Sequence, residues 1–203
     1  MLVIYSPEYT SFSFVDLERR KDQLLGMKVC GSNELLSELE LRLGIVSQDL
    51  SESERLIAFH ESLRNNIHGT IFEKSFKTDE VGVARQLMGW CDNLLMEGWT
   101  PNDNLDSDKL RALASFVAGV NGTHIATRWN EVTQRLKNQG IFGKDDTFDV
   151  HDQAHIPAVI MRALEELAKQ ATVHYVAAEG EFPKSVECYR FKSRMDAYRW
   201  YLS

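Results

Sequence analysis

Apolar residues in this chain follow two rhythms. Short runs rich in β-branched and aromatic residues predict strands at 2–5 (LVIY), 27–30 (MKVC), 70–76 (TIFEKSF), 172–178 (TVHYVAA) and 186–191 (VECYRF). Between them the spacing becomes helical. Leu35, Leu36, Leu39 and Leu43 share one face of a helix over 34–43. Leu56, Ile57, Phe59 and Leu63 repeat the pattern over 52–64, opened by a capping box of Ser51 and Glu54. The longest helix is predicted at 79–97. Val83, Ala84, Leu87, Cys91, Leu94 and Leu95 make its stripe, Asp79 and Glu80 favour its positive end, and Gly98 stops it. Three more helices are expected at 107–119, 123–138 and 157–170, the last with Pro157 in its first turn, where a missing N–H costs nothing.

Strands gather at both ends of the chain and helices fill the middle. The expectation is an α/β core formed by 1–78 and 139–203, its sheet interrupted by a helical insertion over 79–138. The closing stretch "SRMDAYRWYLS" begins like a helix, with Ser193 and Asp196 in capping positions. It carries Trp200, Tyr201 and Leu202 on its last turn, apolar mass that asks for a partner, so the chain reads as a piece of something longer.

Composition adds little to this picture and charge adds more. The 203 residues are 43% hydrophobic and 26% charged, ordinary for a globular chain with a real core. No apolar run is long enough to span a membrane as a helix, and the first residues lack the basic and apolar regions of a secretory signal. Three widely spaced cysteines (Cys30, Cys91, Cys188) fit neither a zinc pattern nor a disulfide framework, so a reducing, cytoplasmic setting is expected. The net charge of −7 argues against stand-alone nucleic-acid binding, which depends on neutralising phosphates. Two short basic clusters, Arg19, Arg20 and Lys21, and Arg190, Lys192 and Arg194, are the candidate nucleic-acid contacts, though each also reads as a solvated face.

The run from Met27 through "CGSNELLS" is a strand, a glycine turn and a helix start, the place where a phosphate-binding loop would sit. A P-loop needs several glycines, a lysine to reach the phosphates and a hydroxyl to hold Mg²⁺. Residues 30–37 offer one glycine and no lysine, and the only Gly-Lys pair, Gly143-Lys144, continues into Asp145. Gly31, Ser32 and Asn33 are therefore left as a vestigial anion loop, worth at most about 1 kcal/mol of helix-dipole attraction. No ATP hydrolysis and no cofactor are expected.

Nuclease chemistry of the PD-(D/E)XK type requires an acidic residue two positions before a lysine, and no lysine of this chain has one. In "DVHDQAHIP" a helix would bring His151 and His155 onto one face as a metal pair, but Pro157 suggests that the helix starts later and no third ligand is evident. A structural role is favoured for both, and His60, His68, His124 and His174 read as isolated. Neither a Gly-x-Ser-x-Gly elbow nor a Gly-x-Gly-x-x-Gly loop occurs. Trp90, Trp99, Trp129 and Trp200 could stack on bases, but Trp129 shares its stripe with Ile125, Val132 and Leu136, which favours core packing.

Three segments carry a family resemblance. "VCGSNELLSELELRLGI" resembles the "GPxGLLxxLExxLGL" segment of bacterial proteins related to AddB and the RecB-family exonucleases. "KSFKTDEVGVARQLMGWCDNLLMEGW" resembles the helix that follows it there, and "ECYRFKSRMDAYRWYLS" resembles the point where superfamily 1 helicase-like chains resume their first core domain. The resemblance implies a degenerate, P-loop-helicase-like parallel sheet without its ATP site. It further implies the N-terminal scaffold portion of a protein that processes DNA ends in double-strand break repair and recombination. The nuclease domain of such proteins lies far C-terminal, so no catalytic residue carries over to this chain. The partners it implies are DNA, held by the complete protein, and a helicase–nuclease subunit, with no membrane. The alternative is a self-contained α/β domain that binds a protein partner or an anionic ligand.

Overall fold

A computed structural model describes residues 1–9, 26–46, 50–102, 107–118, 120 and 124–177 of the chain. Its described strands are β1 (Leu2–Tyr5), β2 (Met27–Cys30), β3 (Thr147–Val150) and β4 (Thr172–Tyr175). They form one all-parallel sheet in the order β2-β1-β3-β4. The described helices are α1 (Ser32–Leu43), α2 (Glu52–Asn66), α3 (Glu73–Thr78), α4 (Glu80–Met96), α5 (Asp108–Ala118), α6 (Ile125–Asn138) and α7 (Ala158–Leu167). The chain is thus an α/β protein. No described helix is long and apolar enough to cross a membrane.

The helix termini follow local chemistry. Ser51 and Glu54 make the expected capping box, Ser51 N–H donating to the Glu54 carboxylate at 2.8 Å. Asp79 caps α4 by accepting from Gly82 N–H at 2.8 Å, and Gly98 follows the helix at φ +86°, a conformation that favours glycine. Pro157 stands at the N-cap of α7.

Two expectations for strands need correction. Residues 70–76 hold no strand; a turn at Gly69 leads into α3. Phe72 and Phe76 lie four apart, a spacing that suits a helix as well as an extended run, and the Glu73–Lys77 ion pair at 2.7 Å supports the helical choice. Phe72 then meets Phe116 edge-on at 6.3 Å. Conversely, β3 forms at "TFDV", a run that reads as polar because Asp149 sits inside it. The expected strand at 186–191 and the helix beginning at Ser193 lie outside the described residues.

Register explains the core. Tyr5 pairs with Cys30 and with Val150, and Val3 with Phe148, so these side chains share one sheet face. They are buried in one apolar cluster with Leu36 and Leu39 of α1, Trp129 of α6 and Leu164 of α7. Trp129 is fully buried, as its stripe predicts, and its indole N–H has no hydrogen-bond partner. A second cluster joins α2 to α5 around Phe59, Leu63, Leu87 and Phe116. Helix α6, which the sequence pattern groups with 79–138, thus packs on the sheet side, whereas α2 packs with α4 and α5.

Polar pairs bolt the sheet cluster. Arg128 of α6 donates through Nε to Glu40 of α1 at 2.8 Å and through Nη2 to its other oxygen, with Glu40 buried. At the amino edge of the sheet, Arg42 donates to Glu38 at 2.8 Å and to Asp146 at 3.2 Å, and its guanidinium lies 5.3 Å from the Phe142 ring centre. The N-terminal ammonium approaches Asp146 at 3.5 Å.

Two outcomes follow from these pairs. Glu40→Leu or Arg128→Met alone strands a largely buried charge and is expected to cost about 3–5 kcal/mol, while the double variant recovers most of the loss. A urea-denaturation double-mutant cycle reads this coupling. The Lys28 hydrogen bond, with Arg42, holds the Glu38 carboxyl below the usual range despite burial. Burial pushes Asp146 up, but the Gly143 N–H, Arg42 and the N-terminus more than offset it. Both folded values lie below the unfolded ones, so their stabilisation is full above about pH 4 and is lost as pH falls through the folded values. The urea midpoint should drop more between pH 6 and pH 3 in the wild type than in Arg42→Met.

Candidate functional site at the carboxyl edge of the sheet

Because all four strands are parallel, the turns after β1, β2 and β3 open at one edge. The chain leaves β1 for β2 on one side, and β3 lies on the other side of β1. The crevice between the carboxyl ends of β1 and β3 is therefore the topological switch point, where open α/β sheets bind ligands.

The crevice is built on backbone. His151 N–H donates to Tyr5 carbonyl at 2.8 Å and Ser6 N–H to Cys30 carbonyl at 3.3 Å, each extending its strand pair by one step. Ser6 is wholly buried. Its hydroxyl donates to Asp152 at 2.6 Å and accepts from Glu8 N–H at 3.1 Å. Asp152 takes a left-handed conformation at φ 54°, the only described non-glycine residue with positive φ. Tyr9 packs its ring 6.2 Å from that of His151, and burial, with the charge of Asp152, pushes its phenol up. Tyr5 shares a 3.2 Å hydrogen bond with Ser32, and burial raises it to about 12. Burial likewise pushes the Cys30 thiol to about 12, so it is no nucleophile at neutral pH.

This edge unites residues that the sequence offers separately. Gly31, Ser32 and Asn33 lie after β2, and His151 and His155 after β3, bridged by residues 5–9. The helical premise for the two histidines does not hold. His151 follows a strand, His155 ends a 3-10 turn over Gln153–His155, and α7 starts only at Ala158. His155 meets Glu8 at 3.1 Å, a largely exposed pair worth little. Among the described residues no group of three His, Cys, Asp or Glu side chains is placed to hold a metal. The other histidines find carboxylates that linear spacing hides: His60 meets Glu80 at 3.1 Å and His124 meets Asp92 at 2.7 Å. Arg19, Arg20, Lys21, Arg190, Lys192 and Arg194 lie outside the described residues.

Ser6, Glu8 and Tyr9 are the residues that sequence reading misses, and Asp152, noted there only beside the two histidines, bonds Ser6 instead. Their one signal is that "YSPEY" and "VHDQ" each follow an apolar run, which becomes informative once the two runs are known to be neighbours.

Chemically the edge is poor in positive charge. Residues 1–9, 30–37 and 150–157 contain no Lys or Arg. Gly31 serves a packing purpose. A Cβ on Gly31 would lie 2.1 Å from the Tyr9 carbonyl oxygen, so that carbonyl rests against the turn where a phosphate would need to approach. The described residues thus define an α/β protein whose switch-point crevice is spanned by a hydrogen bond from the buried Ser6 to the half-buried Asp152. No protein-family model matches the chain, and no curated protein sequence matches it.

Gly31→Ala forces backbone apart and should destabilise the chain by about 1–3 kcal/mol, the range of an overpacked site. Gly89→Ala, inside α4 with nothing within 4 Å of the new methyl, should instead stabilise it by about 0.4–1 kcal/mol. Paired urea titrations of the two variants give opposite shifts in midpoint.

Proposed function

We propose that this chain is the N-terminal, ATPase-deficient, helicase-like scaffold of a cytoplasmic nuclease–helicase that processes DNA ends. The observation that carries the reading is an all-parallel sheet at whose carboxyl edge the described residues 1–9, 30–37 and 150–157 hold no Lys or Arg. Such a body suits a helicase-like fold that has lost its ATP chemistry. The segments that resemble the AddB and RecB families support it further. One covers β2 and α1 and the other covers α3 and α4, so the resemblance follows whole structural units. In this reading DNA is held by the complete protein, with a helicase–nuclease subunit as partner, and residues 79–138 are the helical insertion of the helicase-like domain.

The complete natural protein tests this. On blunt duplex with Mg²⁺ it should degrade DNA from the ends, and deletion of this region should abolish that processing. A complete protein that neither binds nor degrades DNA ends sinks the reading. This chain alone should neither turn over nor tightly bind Mg-ATP. It should hold DNA more weakly than the roughly 10⁻⁴–10⁻⁶ M of ordinary non-specific binding at physiological salt. Sub-micromolar ATP binding by calorimetry contradicts the loss of the nucleotide site.

A further inference from the structure

Two cavities meet at the seam between the apolar clusters. One, of about 280 Å³, lies among α2, α4, α5 and α6, with Phe59, Met88, Leu95 and Val117 in its walls. The other, of about 350 Å³, lies between the first halves of α1 and α6 and is lined by Asn33, Ser37, Arg55 and Arg128. Arg55 and Leu50 line both. The first chamber has nearly twice the roughly 150 Å³ in which an engineered apolar cavity holds benzene. Among its described lining residues the second carries two guanidinium groups, Arg128 held by Glu40 and Arg55 by Asp92, in a chain of net charge −7.

Arg55 is positioned for a further partner. Its Nη2 donates to Asp92 at 2.7 Å, and among the described residues no second acceptor meets its remaining N–H groups. Asp92 is itself held by a second donor on the same oxygen, Oδ1. His124 Nδ1 accepts from Ala126 N–H at 3.0 Å, so the ring donates through Nε2 to Asp92 at 2.7 Å. Asp92 thus holds one part of the guanidinium and leaves the rest available, and a planar fork of donors is what a carboxylate accepts best.

The geometry points to a binding site for a small amphipathic organic anion, an acyl or aryl carboxylate. Its apolar body occupies the chamber beside Phe59 and Met88, and its acid group engages Arg55 at the mouth of the chamber shared with Arg128. This site lies away from the carboxyl edge of the sheet and does not depend on the DNA reading.

Decanoate and 1-decanol, equal in chain length and different in charge, test it by calorimetry on the full chain below the micellar concentration. Decanoate should bind saturably at one site, at least tenfold tighter than decanol. Arg55→Gln should erase that tenfold preference while leaving decanol binding in place, and Val117→Phe, which fills the apolar chamber, should weaken both ligands. Should Arg55→Gln lose its cooperative thermal transition, the wild-type comparison and Val117→Phe read the same question with Arg55 intact. Absence of saturable decanoate binding, equal affinity for the two ligands, or unchanged decanoate affinity in a folded Arg55→Gln overturns the proposal.

Discussion

The parallel pairing of Leu2–Tyr5 with Thr147–Val150 joins segments almost the whole described chain apart, and the rest of the structure is arranged to make that closure worthwhile. Closing so long a loop costs entropy before any contact repays it, although the cost grows only slowly with length. The repayment is concentrated. Val3, Tyr5, Phe148 and Val150 are all fully buried against α1, α6 and α7. Both ends of the pair are then clamped by polar groups. At the amino end Thr147 N–H donates to Met1 carbonyl at 2.8 Å, and Arg42 reaches Asp146. At the carboxyl end the buried Ser6 hydroxyl bonds Asp152 at 2.6 Å. A one-residue slip of this register would turn Val3 and Tyr5 away from the core and break both clamps together.

How much of this was legible depended on whether the information was local. The capping box at Ser51, the stop at Gly98 and the helices α1, α2, α4 and α6 concern residues within a few positions of each other, and they appear in the structure within a residue or two. Within the expected α2 stripe Ile57 instead faces solvent, because Phe59 and Leu63 set the buried face. The short strand β3 was hidden because four residues leave no room for alternation to declare itself, and Asp149 breaks what alternation there is. Residues 70–76 misled for the opposite reason: Phe72 and Phe76 suit either period, and their packing on Phe116 and α4 decides. Which cluster a helix joins was not legible at all, since an amphipathic stripe says that a face is buried and not against what. The candidate site is the extreme case. Gly31 stands out in the sequence and Ser6 does not, and only strand order brings Ser6 and Asp152 together.

The carboxyl edge shows how a common architecture can keep its shape without the usual chemistry. Parallel sheets bring strand ends, helix starts and free amides to one side whatever the sequence says. A nucleotide site adds positive charge and room for phosphate. Among the described residues the turns carry Glu8, Glu34 and Asp152 and no Lys or Arg, and the Tyr9 carbonyl lies against Gly31. The Ser–Asp hydrogen bond then satisfies two groups that would otherwise be costly to bury. Polar residues at this edge serve to hold the crevice closed upon itself.

At the seam between the two apolar clusters the balance is different. Helices that meet through charged pairs cannot also interdigitate apolar side chains at the same place. Arg55, Asp92 and His124 link α2, α4 and the start of α6, while Arg128 and Glu40 link α6 to α1. Burial pushes Asp92 up, and His124 and Arg55 together more than offset it, drawing the carboxyl below its ordinary range. Holding charge at a junction keeps space open around it, because a guanidinium with an unfilled donor set needs an acceptor rather than a methyl group beside it. The two cavities share Arg55 and Leu50 in their walls. An apolar chamber bordered by the Arg55–Asp92 ion pair is the form this junction takes among the described residues.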